Sequence, residues 1–359
     1  MNINRLKIIV LIILIFLFIG GLFLWNRGTF FGAEVGDEGQ YPKMVPTEKL
    51  KIGFITDAHC YAKQNKETGE WTLNWRCQKP LEAFANKMNN DFKPDFVIEN
   101  GDFIDGKDER SRGTFIDANN IFNTISAPKY HVMGNHEARS FYKNEWLELV
   151  EYEKTYYYFD IKGYRIIVLD ANNKATLDGV IDADPKNESY PGLIDPEQMQ
   201  WLNELLENSK NYRKLVFVHQ PLATEERKTQ EQLFIGGEKI RKLFSANNVL
   251  AVFSGHIERF CLMEEDGVKY YVSQGFWKDN RGLAKEHRFK DEGVFGEIVI
   301  DGSEVIFTAF HNPELSSDSV GNYQSITLTT ENANCNDGSA LFFEEEAPIN
   351  SEAFEQVTE

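Results

Sequence analysis

Lys51–His59 reads Lys-Ile-Gly-Phe-Ile-Thr-Asp-Ala-His. An apolar, β-rich run that stops on an aspartate and, two residues later, a histidine has the form of a buried strand delivering polar side chains at its carboxyl end. The pattern recurs along the chain. Phe96–Glu99 leads to Gly101-Asp102, Lys129–Met133 to Gly134-Asn135-His136, Leu215–Val218 to His219-Gln220, and Leu250–Ser254 to Gly255-His256. In open α/β sheets ligands gather at the carboxyl ends of strands, so residues far apart in sequence can meet at one rim. Glycines before Asp102, Asn135 and His256 suit sharp strand-to-loop turns, where a side chain would obstruct the backbone. Taken singly, Asp102 could open a turn, Asn135 could bond its own backbone, and His219 could be a satisfied core histidine. Their repetition in one context points instead to a shared site.

Outward from these segments, strands are expected at Tyr156–Ile161, Arg165–Leu169, Tyr270–Ser273, Gly293–Ile300 and Glu304–Phe310. Lys162-Gly163 and Asp301-Gly302 mark hairpins, because short hairpin turns favour residues that tolerate positive φ. Helices are expected around Pro80–Met88, Asn144–Glu151, Asp195–Leu206 and Glu238–Phe244. In the third, Asp195 can cap, Pro196 suits the first position and Gln198 can complete a capping box. Short β-rich runs alternating with helices indicate an α/β domain. With 359 residues, 42% hydrophobic and 13% aromatic, the chain can bury a large core. A formal net charge of −18 makes a stable nucleic-acid-binding surface improbable, since such surfaces cluster Lys and Arg.

At the N-terminus an uninterrupted apolar or Gly run from Ile8 to Trp25 follows Arg5 and Lys7 and precedes Arg27. It is long enough to span a bilayer. The charge distribution places the N-terminus in the cytoplasm and the folded part outside. The alternative is a signal peptide cut near Gly32 and Ala33, releasing a secreted domain. The organisation is then an anchor over residues 1–28, a linker over 29–48, a folded α/β domain over 49–312 and an acidic extension over 313–359. Cys60, Cys77, Cys261 and Cys335 form no zinc-ligand spacing. Outside the cytoplasm Cys60 and Cys77 could pair, free buried thiols being the other reading.

In order, Asp57-Ala58-His59, Gly101-Asp102, Gly134-Asn135-His136-Glu137, His219 and Gly255-His256-Ile257-Glu258 resemble the motif set of the calcineurin-like metallophosphoesterases. The resemblance covers roughly Leu50 to Phe310. It implies two mixed β-sheets packed as a sandwich and flanked by helices. It further implies two metal ions: Asp57 and His59 on one, Asn135, His219 and His256 on the other, and Asp102 bridging. Carboxylate, amide and imidazole ligands suit Mn, Fe or Zn. Glu258 stands where that family carries a second histidine. It either ligates the first ion, shifting preference toward Mn²⁺ or Mg²⁺, or turns away toward Arg259. His136 matches the family's non-ligand histidine, the candidate proton donor to the leaving group.

The expected activity is hydrolysis of a small phosphate monoester or phosphodiester by a metal-bound hydroxide, with no side-chain nucleophile. Arg259 is a candidate substrate contact, and the mixed-charge stretch Trp277–Arg288 a weaker one. The alternative, raised by Glu258 alone, is a non-catalytic scaffold or binding protein of the same fold with an incomplete first metal site. No motif distinguishes monoester from diester, and none fixes the oligomeric state.

Overall fold

A computed structural model describes residues 48–106, 109–189, 191–222, 234–276, 292–312, 322–331 and 333. The apolar run Ile8–Trp25 and the stretch Trp277–Arg288 lie outside these residues. Among the described residues no helix is long and apolar enough to cross a membrane.

Two six-stranded sheets form the body. In spatial order the first holds Gln324–Thr327, Glu304–Asn312, Glu292–Asp301, Leu50–Ile55, Phe96–Glu99 and Lys129–His131. The second holds Cys261–Glu265, Val268–Val272, Val249–Ser254, Arg213–Phe217, Tyr164–Val168 and Tyr157–Ile161. Both are mixed: the first is parallel from Leu50–Ile55 out to its Lys129–His131 edge and antiparallel on the other side, and the second is parallel in its middle and antiparallel at both edges.

The alternation of side chains along each strand explains why the sheets stack. Ile52, Phe54, Phe96 and Ile98 from one sheet meet Ile166, Val168, Leu215, Phe217 and Phe253 from the other in a shared apolar layer. The intervening residues face helices. Val97 packs with Leu81, Phe84 and Phe122 under the Trp75–Lys87 and Ser111–Phe122 helices. Ile167, Val216 and Val252 pack with Leu202, Leu206 and Phe244 under Pro196–Glu207 and Gly237–Ser245. The arrangement is helix, sheet, sheet, helix, as expected.

Several local readings need adjustment. Asp195 caps its helix, accepting from the Gln198 amide, but the Gln198 side chain is buried against the Asp170 backbone and closes no capping box. The first helix starts at Trp75, capped by Asn74, and carries Pro80 in its interior. Lys162 and Gly163 both take positive φ as expected, whereas Asp301 pairs with Glu304 and leaves Gly302-Ser303 as the turn. Gln324–Thr327 pairs with Thr308–His311, and Leu328 and Ala333 enter the shared core, so part of the 313–359 extension belongs to the fold.

Cys60 and Cys77 form a disulfide with Cα atoms 5.1 Å apart, and Cys261 is also disulfide-bonded.

Candidate metal centre

The Leu50–Ile55 strand ends at the rim, and the chain turns there through left-handed backbone at Asp57 (φ 49°) and His59 (φ 43°). The amide of Asp57 donates to the Gly101 carbonyl and that of His59 to the Asp102 carbonyl, each at 2.9 Å, joining this turn to the one after Phe96–Glu99. Gly101 has φ 93°, and a Cβ there would lie 2.6 Å from His219 Nδ1, so glycine alone fits. From the opposite sheet, Val249–Ser254 leads to Gly255. A Cβ at Gly255 would sit 2.1 Å from Asp57 Oδ2; without it the His256 amide donates to the Asp57 carboxylate at 3.0 Å. His256 and Glu258 also have positive φ, 68° and 45°. Strained backbone of this kind costs energy and concentrates where function requires a fixed geometry.

Two groups of donor atoms meet at this rim. In one, Asn135 Oδ1 lies 3.1 Å from His219 Nε2 and 2.8 Å from His256 Nδ1, while His219 Nε2 lies 3.1 Å from Asp102 Oδ2. The Nδ1 of His219 donates to the Asn100 carbonyl at 2.9 Å, which leaves Nε2 as the lone-pair nitrogen aimed inward. In the other, His59 Nε2 lies 3.2 Å from Glu258 Oε1, 3.8 Å from Asp57 Oδ1 and 3.9 Å from Asp102 Oδ2. Asp102 Oδ2 is common to both. All seven expected metal-binding side chains are therefore brought together, and Glu258 faces His59. Arg259 follows, half-buried.

The residues fit metal ions. Both ring nitrogens of His59 are buried and neither makes a well-directed hydrogen bond, Nε2 having only the Glu258 carboxylate 3.2 Å away, a deficit that a buried imidazole tolerates poorly. Donor separations near 3–4 Å are those expected around ions whose bonds are about 2.0–2.2 Å long. The electrostatics agree. Burial opposes charge on His59 and His219, yet Glu258, Asp102 and Asp57 outweigh it at His59, and Asp102 and Asp57 at His219. The two rings are raised to about 10 and about 9. Burial lifts the Asp57 carboxyl to about 7. A pocket whose carboxylates hold protons on neighbouring imidazoles is one that cations can occupy in their place.

His136, in the short helix Asn135–Ala138, stands beside His59 with ring centroids 4.3 Å apart. Its Nδ1 donates to the Asp105 carbonyl at 2.7 Å, and Nε2 lies 3.8 Å from Asp102 Oδ2. His59, Asp102 and His136 each place a donor atom within 4.8 Å of the others, close enough to form a further cation-binding group.

Other residues of this centre escaped the sequence reading. The buried Glu137 carboxylate accepts from three backbone amides, Asp102 at 2.9 Å, Gly134 at 3.0 Å and Ile104 at 3.1 Å, locking two turns together. Glu99 accepts from the Gly101 amide at 2.7 Å and faces His131. Glu137 falls inside the quoted motif, which was its signal; nothing local marked Glu99, Asn100 or Asp105.

Residues 50–259, more than half of the chain, match the calcineurin-like phosphoesterase family. The chain belongs to that family. As a calcineurin-like phosphoesterase it is similar to a probable glycerophosphodiester phosphodiesterase of Arcobacter nitrofigilis, 27% identical over 46% of this chain and 58% of the relative. It is also similar to the manganese-dependent ADP-ribose/CDP-alcohol diphosphatase of Homo sapiens, 25% identical over 53% of this chain and 70% of the relative. Among solved structures, a dimetal phosphatase from Danio rerio shares the fold, with TM-score 0.52 and 16% identity over 78% of this chain and 99% of that one.

Proposed function

We propose that this calcineurin-like phosphoesterase hydrolyses a phosphodiester or diphosphate with two metal ions, manganese foremost. The observation that carries the reading is the position of Asp102 Oδ2, within 3.1 Å of His219 Nε2 on one side and 3.9 Å of His59 Nε2 on the other. Asp57, His59 and Glu258 would hold one ion, Asn135, His219 and His256 the other, and Asp102 both. When bound, such ions neutralise phosphate charge and acidify water for attack on phosphorus. The chain supplies orientation and proton handling. The Asp105 carbonyl fixes the His136 ring so that Nε2 faces the cluster, and a proton passed to the leaving oxygen is carried there. Burial lowers this imidazole to about 3 despite the opposing pull of Asp102. Arg259 is proposed as a further phosphate contact.

The diester or diphosphate preference rests on the names of the relatives, whose lengths this chain spans only in part. A scaffold with an incomplete first site is the weaker reading, because Glu258 turns toward His59 and supplies the missing donor. We further propose that the run Ile8–Trp25 anchors the chain with the domain outside the cytoplasm. The Cys60–Cys77 disulfide supports this placement, since such bonds persist in oxidising compartments.

The test uses the purified full chain with p-nitrophenyl phosphate and bis-p-nitrophenyl phosphate, with and without Mn²⁺, beside Asp102→Ala. Metal-dependent turnover that the variant loses, together with bound metal, is expected. Silence on both esters with fewer than two metals bound would favour the scaffold.

A further inference from the structure

The short helix that carries His136 carries a second group one turn on. Arg139 caps that helix at its C-terminal end, three residues after His136, and its Nη2 donates to the same Asp105 carbonyl that receives His136 Nδ1–H, at 2.5 Å. The same nitrogen stands 3.5 Å from Asp105 Oδ1. Only 16% of the Arg139 side chain is exposed, equal to His136, and its Nε is buried with no hydrogen-bond partner. A guanidinium presents five N–H donors in a fixed fork suited to phosphate. Asp105 engages Nη2 of this fork and leaves the buried Nε without a partner, while the shared carbonyl sets the guanidinium next to the His136 ring.

We propose that Arg139 is a specificity-determining residue that reads negative charge on the leaving group. It would favour a leaving group that is itself a phosphate over an uncharged alcohol or phenol. The inference rests on the hydrolytic reading above, with His136 on the leaving-group side. In the favoured reaction a water oxygen bonds to one phosphorus of a diphosphate and the bridging P–O bond breaks. The departing phosphate keeps that electron pair, and the proton released by the water passes to solvent or to the products. Arg139 would bind the oxygens on which charge accumulates. Position argues against a purely structural role. A residue serving only to hold the Asp105 loop could do so from solvent, whereas this guanidinium is largely buried and shares its acceptor with His136.

The experiment compares the full wild-type chain, Arg139→Met and Arg139→Lys with Mn²⁺ on two substrates. Bis-p-nitrophenyl phosphate loses a phenolate, and P1,P2-diphenyl diphosphate loses phenyl phosphate. Arg139→Met should lose at least tenfold more kcat/KM on the diphosphate than on the diester, with metal content unchanged, and Arg139→Lys should recover part of that difference. Equal losses on both substrates would make Arg139 a structural support and overturn the proposal, as would no loss on either. Wild-type turnover of the diester but not the diphosphate would overturn it as well. Wild-type inactivity on both would instead defeat the hydrolytic reading.

Discussion

Replacing Glu137 tests how the turns beneath the metal centre are held. Its carboxylate is buried, with Oε2 accepting from the Asp102 and Gly134 amides and Oε1 from the Ile104 amide. In Glu137→Gln the amide oxygen can keep the two bonds of Oε2, but the new NH₂ then meets the Ile104 N–H, donor against donor. Leaving one buried donor unsatisfied costs about 1–3 kcal/mol. Glu137→Ala strands all three amides, and the same arithmetic gives roughly 3–9 kcal/mol, comparable with the whole stability of a domain. Urea unfolding of the purified variants reads the first quantity, and metal content of the folded fraction reads its consequence. Ile104 lies two residues after Asp102 in the same turn, so repulsion at its amide disturbs the turn that carries Asp102, and Glu137→Gln should lower occupancy as well as stability. A Glu137→Gln protein within about 0.5 kcal/mol of wild type, an ordinary surface-substitution effect, and with both metals in place would refute this account.

Three further outcomes are expected. His136→Ala should retain metal while kcat falls about 10²–10⁴-fold on substrates with poor leaving groups, and an unchanged rate there would remove the proton-transfer role. Glu258→His should preserve or raise Mn²⁺ and Zn²⁺ occupancy if Glu258 is a ligand, and indifference in both affinity and rate would place it outside the centre. Lys143→Met should destabilise by about 3–5 kcal/mol, because it leaves the buried Asp170 carboxylate, 2.8 Å from Lys143 Nζ, without its cation. Burial pushes Asp170 up, but Lys143, Thr155 and Asn172 bring it below its ordinary value of 3.8. Its contribution is therefore full above that value and is lost as pH falls through the lower folded one. The gap between wild type and Lys143→Met in thermal melts should accordingly narrow in acid, and a constant gap would count against the ion pair.

The strands that deliver the site were legible because each is an apolar run ending in a polar residue, and burial on both faces makes such runs continuous. Edge and surface strands were not. Cys261–Glu265 went unread although Asp266-Gly267, both at positive φ, signals the hairpin that joins it to Val268–Val272. The Ser111–Phe122 helix was hidden by weak helix formers such as Gly113, Thr114 and Asn119, yet its buried Phe115, Ala118 and Phe122 recur at helical spacing. In the candidate centre the seven side chains that converge at the rim could be read from motif order. Glu99, Asn100 and Asp105 could not, because their roles depend on backbone atoms that only the folded chain brings near. Asn100, for instance, offers its carbonyl to a histidine 119 residues away.

Ten non-glycine residues among those described have positive φ, and five of them are Asp57, His59, Asp102, His256 and Glu258. For an ordinary L-residue that backbone costs about 1–2 kcal/mol, which glycine escapes. A lineage with no use for cations at this rim could relax by letting these positions drift to glycine, most readily at His59, His256 and Glu258. All five are polar, on backbone that carries side chains at a cost, so the proposed cation site would hold the protein below its own stability optimum.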